Sequence, residues 1–144
     1  MGICAVNHAT GITDSMRDRH IPSCIFTRPQ IGAVGLTETA AKEKGLDYRT
    51  GKFPLAALGK AQILQETEGF CKLITDNETD QVIGAHIVGP EATNLVAEMA
   101  TSMGLEITAE ETGRAVHAHP TLAEAVMEAA HAVHDECIHM PPAR

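Results

Sequence analysis

The 144-residue sequence contains no tryptophan, one tyrosine and three phenylalanines. Its core must therefore be assembled from Ala, Val, Ile, Leu and Met. At 44% hydrophobic residues there is enough material, since a domain of this size buries roughly 68–70% of its unfolded surface. Basic residues are also scarce: 11 Lys and Arg stand against 19 Asp and Glu, a net charge of −8. That balance argues against a nucleic-acid partner and against an anionic membrane surface, both of which require clustered cations. No apolar run approaches the ~18 residues of a membrane span. Met1 to His8 show no basic stretch followed by an apolar one, so no signal peptide is expected, and Val6 stands where a myristoylation motif wants Ser or Thr. The four cysteines, Cys4, Cys24, Cys71 and Cys137, are irregularly spaced without a CxxC pair; they read as reduced thiols of a cytoplasmic protein. No GxGxxG occurs, so the chain lacks the phosphate-cradling turn that FAD or NAD would need, and Gly84 to Gly89 has the wrong spacing to replace it.

What is present suggests one domain. Residues 1–20 read as a short helical remnant and a charged linker, residues 21–136 as the folded body, and residues 137–144, with Pro141 and Pro142, as a loose tail. The β-prone runs Ser23 to Thr27 and Ile31 to Leu36 open the body. Thr37 predicts a helix N-cap over Glu38–Lys44, with Gly45 ending the helix. Asp47 to Phe53 reads as a strand, Leu55 to Glu66 is ambiguous because of Gly59, and Phe70 to Thr75 alternates. Asp76 to Asp80 reads as a hairpin turn. The returning strand, Gln81 to Val88, carries a continuous apolar stretch that suggests burial on both faces. Pro90 is expected at the first position of a helix whose apolar stripe is Ala92, Leu95, Val96, Met99, Ala100 and Met103. Thr108 and Glu111 form a capping box. The last helix is expected from near Pro120, with Leu122, Val126, Ala129, Ala130 and Val133 on one face and Glu124, Glu128, His131 and Asp135 over much of the rest. Strands come early and helices cluster late, which predicts an α+β fold with a mostly antiparallel sheet.

The residues that carry chemistry lie in Val116 to Glu124. His119 precedes a proline and is pushed toward extended backbone, which places its ring at a helix mouth. Glu124, five residues on and expected in the second turn, leans back toward the helix start. A carboxylate on one ring nitrogen fixes the tautomer and makes the other nitrogen the better base. From spacing alone, His119 could equally be a capping or surface residue, and His117 reads as a core or interface polar group.

The string His117-Ala118-His119-Pro120-Thr121-Leu122-Ala123-Glu124-Ala125 resembles the signature of dihydrolipoamide dehydrogenases. Ile21 to Glu38 is similar to the start of that family's interface domain, and Gly69 to Ile74 with Val82 to Gly89 to its central hairpin. The resemblance covers roughly residues 20–134, while residues 2–11 resemble the tail of the preceding flavin domain. Mercuric reductases are set aside because Cys137 stands alone where they end in a cysteine pair. The resemblance implies a C-terminal dimerisation domain of an FAD- and NAD-dependent enzyme. His119 would be the acid-base catalyst, Glu124 its orienting partner, and the His119-Pro120 backbone would approach the flavin of a partner subunit. It implies as partners a second copy in a homodimer, the parent enzyme's flavin and nicotinamide domains, and a lipoyl-bearing protein as substrate; the sheet face and the last helix are expected to leave an apolar patch, with the last helix near the dimer interface. The family's paired redox cysteines are missing, so the chain alone is expected to be an inactive fragment that binds no cofactor by itself.

Two other readings stay open. One is a homodimerisation module with no catalytic part. The other is a small metal-binding protein, using His131, His134, Cys137 and His139, of which the first two are spaced as a chelating pair on one helix.

Overall fold

The computed structural model describes residues 1–16 and 20–141. Part of the predicted linker (17–19) and the end of the predicted tail (142–144) lie outside them. Helix α1 (Gly2–Ala9) buries none of its residues, as expected for a segment carrying no core. The body then runs β1 (Ser23–Ile25), β2 (Gln30–Gly35), α2 (Glu38–Glu43), β3 (Tyr48–Pro54), α3 (Gly59–Leu64), β4 (Phe70–Asp76), β5 (Val82–Gly89), α4 (Ala92–Gly104), α5 (Ala109–Arg114) and α6 (Glu124–Val133). The strands form one antiparallel sheet in the order β1-β2-β5-β4-β3. This is the α+β architecture predicted.

Several local signals act as read. Thr37 caps α2 by accepting from the Ala40 N–H at 3.1 Å. Asp76 closes the β4–β5 turn by accepting from the Glu78 and Thr79 backbones and from the Thr79 hydroxyl. Thr108 and Glu111 exchange the two bonds of the capping box. Gly59, expected to weaken a helix, instead begins α3 after a single 3-10 turn over Leu55–Ala57. Pro90 does not open α4, because β5 stays paired through Gly89 with Gln30. The chain must therefore reverse at Pro90 and Glu91, and Glu91 takes left-handed backbone at φ 57° just before Ala92.

The core lies between one sheet face and two helices, α4 over β2 and β5 and α6 over β3 and β4. Val34, Phe53, Cys71, Leu73, Ala85 and Ile87 meet Val96, Met99, Val126, Ala129 and Val133, all buried. Each large apolar side chain buried here contributes about 1.5–3 kcal/mol. Close approach of the helices depends on two glycines. A Cβ on Gly32 would stand 2.3 Å from the Ala92 carbonyl, and one on Gly51 would stand 2.1 Å from the Ala129 carbonyl. On the opposite sheet face Ile31, Phe70 and Val88 form a half-buried row. Lys72 on that face bonds Glu38 of α2 at 2.5 Å. Of the apolar patch expected from the sheet face and the last helix, the α6 face packs on β3 and β4, which leaves the row on the opposite sheet face. The exposed apolar side chains are Ile21, Ile25, Phe26 and Val116, among others.

Two features of the C-terminal region differ from expectation. Glu128, assigned to the polar face of α6, is fully buried. Its carboxylate accepts from the Ile138 N–H at 3.0 Å, the His139 N–H at 3.4 Å and His139 Nδ1 at 2.6 Å. The Cys137 thiol bonds the Glu128 carbonyl at 3.3 Å, and Cys137 and Met140 pack against the core. The stretch 137–140, expected to be loose, is therefore pinned to α6 by a buried acceptor that needs its donors. Glu128→Ala leaves those N–H groups without their acceptor. It is expected to cost about 1–3 kcal/mol and to speed hydrogen exchange at Ile138 and His139, measured by NMR. Unchanged exchange at both amides would show that the carboxylate does not hold this segment.

Candidate active site

Between α5 and α6 the chain crosses residues 115–123 without regular structure. Side chains acting on backbone groups shape its second half. The Thr121 hydroxyl donates to the Ala118 carbonyl at 2.7 Å, and Glu124 Oε2 accepts the Thr121 N–H at 2.8 Å. These bonds fold 118–123 into turns, so α6 starts at Glu124 and not near Pro120. Glu124 is thus the first helical residue and sits where the helix dipole favours a negative charge.

The other oxygen of Glu124 faces His119 Nδ1 at 2.9 Å. The structure therefore brings the two predicted residues together, although Glu124 is a turn nearer the helix start than expected. The Glu124 side chain is 8% exposed and that of His119 72%. A carboxylate that already accepts a backbone N–H leaves Nδ1 as the donor, which fixes the tautomer. Among the described residues Nε2 has no hydrogen-bond partner. The pair can therefore accept or release a proton at one outward-facing atom while its far end is held in the protein. Pro120 is exposed beside it, and the His119-Pro120 bond is cis.

Burial by itself would raise the Glu124 carboxyl. The Thr121 N–H outweighs it, together with the bond from His119 and the charges of His119 and His139, and holds the group below the usual carboxylate range. A depressed folded value means that Glu124 stabilises the fold above its unfolded pKa, with the contribution lost as pH falls through the folded one. Urea unfolding of the wild type and Glu124→Gln should therefore differ at about pH 6 and converge as pH drops well below ~4.3, the ordinary glutamate value. A difference that stays constant down to about pH 3 would remove the linkage.

The four metal candidates are drawn to different partners. His134 Nε2 lies 3.2 Å from Asp80 Oδ1, His139 and Cys137 go to Glu128, and the His131 ring packs beside Gly113. Among the described residues no group of three or more His, Cys, Asp or Glu side chains could hold a metal ion. Two part-buried polar arrangements escaped the sequence. One is Glu128 with the tail; the other joins His117 to Glu98 at 3.0 Å. Glu98 carried no local signal, since it lies 19 positions earlier, on α4.

Dihydrolipoyl dehydrogenase of Bacillus subtilis is 41% identical over 139 residues, covering 96% of this chain and 29% of that protein. The mitochondrial dihydrolipoyl dehydrogenase of Pisum sativum is 37% identical over 139 residues, 96% of this chain and 28% of the relative. The chain thus spans less than a third of these relatives. The crystal structure of LpdA from Mycobacterium tuberculosis superposes with a TM-score of 0.82 at 32% identity, over 90% of this chain and 28% of that one. The family pattern of the pyridine nucleotide-disulphide oxidoreductase dimerisation domain matches residues 21–130. With that match across most of the antiparallel sheet and its helices, the chain belongs to the dimerisation-domain family of the pyridine nucleotide-disulphide oxidoreductases.

Proposed function

We propose that this chain is the interface domain, residues 21–136, of a dihydrolipoamide dehydrogenase, and that it supplies the acid-base pair His119–Glu124 to an active site completed by a second copy. One observation carries the reading. A solvent-facing imidazole is fixed at Nδ1 by a buried carboxylate, which leaves Nε2 as the free proton acceptor. A structural histidine has no need of this combination of exposure and orientation.

In the proposed reaction Nε2 of His119 takes the proton from a thiol of dihydrolipoamide. The thiolate then attacks the enzyme's redox disulfide, which lies outside this chain. The second substrate thiol completes the exchange, releasing lipoamide and leaving a dithiol on the enzyme. Glu124 stabilises the imidazolium while the proton is held, and the proton is returned later in the cycle. An FAD held by the flavin domain would supply the redox chemistry that links that dithiol to NAD. The residues of this chain that fit a neighbouring flavin are His119 and Pro120, both exposed. With no GxGxxG in the sequence, neither cofactor is held here and the chain alone is inactive. The homodimer, the flavin and nicotinamide domains and a lipoyl-bearing substrate protein are part of this reading. No described helix is long and apolar enough to cross a membrane, and the four free cysteines fit a reducing compartment, proposed as the cytoplasm.

The test is complementation. This chain is mixed with a dihydrolipoamide dehydrogenase lacking its own interface domain, and NAD reduction by dihydrolipoamide is followed. Restored turnover supports the reading. Assembly of the two parts without turnover would leave a dimerisation module and sink the catalytic role.

A further inference from the structure

In the stretch before α6, His117 and His119 engage different helices, Glu98 of α4 and Glu124 of α6. The His119 side chain is 72% exposed and that of His117 only 8%. The His117 ring is held between two oxygens. Nδ1 lies 2.9 Å from the Ala115 carbonyl, and Nε2 lies 3.0 Å from Glu98 Oε1 on α4. A carbonyl oxygen has no proton to give, so Nδ1 must carry one and donate. Nε2 and Glu98 must then share a further proton, as imidazolium with carboxylate or as imidazole with carboxylic acid.

Burial does not hold this stretch in place. Val116 is 99% exposed, and Ala115 and Ala118 are exposed too. The Thr121 and Glu124 bonds tie residues 118–121 to one another and to α6. Among the described residues, the side-chain bond from 115–118 to another helix is His117 to Glu98. We propose that His117 is a positioning residue: bridging the Ala115 carbonyl to Glu98, it straps the segment to α4 so that His119, two residues on, stays against Glu124 on α6. The inference rests on the reading of His119 as the base. A base displaced by even about 1 Å loses much of its effectiveness, so a strap upstream of it has a function beyond stability.

The experiment is nitrogen NMR of the histidine rings in the full chain, in wild type and in Glu98→Gln, Glu98→Ala and His117→Ala. In wild type the His117 Nδ1–H, bonded to the Ala115 carbonyl, is expected to be protected from water exchange. Glu98→Gln should keep that signal, because an amide can donate to Nε2 and preserve the strap. The His119 Nδ1–H signal, shielded by Glu124, should persist in wild type and Glu98→Gln. It should be lost to water exchange in Glu98→Ala and His117→Ala, with backbone spectra unchanged elsewhere. Glu98 is partly exposed and helical, so its alanine variant reports even if His117→Ala fails to fold. A His119 signal that survives Glu98→Ala overturns the inference. That result does not touch the catalytic reading, which falls if the assembled parts show no turnover or if His119→Gln leaves complemented turnover unchanged.

Discussion

In the complemented enzyme, His119→Gln is expected to lower turnover with dihydrolipoamide by roughly 10²–10⁴-fold, the usual contribution of a positioned general base. Glutamine approximates the size of imidazole and can still donate to Glu124, so the local fold should survive while the proton acceptor at Nε2 disappears. The loss should fall on proton transfer from the thiol. At high pH, where the substrate thiol ionises without help, the variant should regain part of its rate; a purely structural defect would show no such recovery. Glu124→Gln should give a smaller loss of the same sign, because the amide can accept from either Nδ1 or Thr121 but no longer carries the charge that stabilises imidazolium. Steady-state rates across pH check both. A His119→Gln enzyme within a fewfold of wild type at neutral pH would end the assignment.

How much of this was readable in the sequence divides along the range of the interactions. Contacts closed within a few residues were visible: the Thr37 cap, the Thr108–Glu111 capping box, the Asp76 turn, and His119 with Glu124 five positions apart. The apolar stripe of α4 was also visible, because a period of 3.6 reports one packed face; Ala92, Val96, Met99 and Met103 are buried there. Helix starts were less readable. Proline at position 90 or 120 permits a first helical turn but does not require one. The decision came from β5 pairing through Gly89, and from the Thr121 and Glu124 bonds that hold 118–123 in turns. Longer-range polar pairs were invisible. Glu128 looked like a solvated charge because its partners, Ile138 and His139, lie in a tail without periodicity. His117 read as a core or interface polar group with no partner named, because Glu98 is on another helix. The four metal candidates separate for the same reason: proximity in sequence of His131, His134, Cys137 and His139 says nothing of Asp80 and Glu128, which engage three of the four.

Two glycine substitutions of equal chemical size should move stability in opposite directions and link the core to the site. Gly51 on β3 lies under α6, where a new Cβ would meet the Ala129 carbonyl at 2.1 Å, the Val133 nitrogen at 2.5 Å and Val133 Cγ2 at 2.7 Å. Two of these are backbone atoms inside a helix and cannot yield by a rotamer change. Gly51→Ala must therefore lift α6 from the sheet, at about 1–3 kcal/mol for overpacking a core contact. Since α6 begins at Glu124, the same displacement moves the carboxylate that holds His119. The variant should thus lose the protected His119 Nδ1–H signal along with several degrees of melting temperature. At Gly59, the start of α3, an added methyl group would meet nothing within 4 Å, and the backbone has no positive φ. Gly59→Ala should stabilise by about 0.4–1 kcal/mol, by narrowing the unfolded ensemble, and should leave the His119 signal untouched. Calorimetry and ring NMR on the two variants decide the matter. If Gly51→Ala melts like wild type, α6 does not rest on β3 as described. If it melts low but keeps the His119 signal, the seating of α6 and the geometry of the acid-base pair are independent, and the pair is held by the 115–121 segment alone.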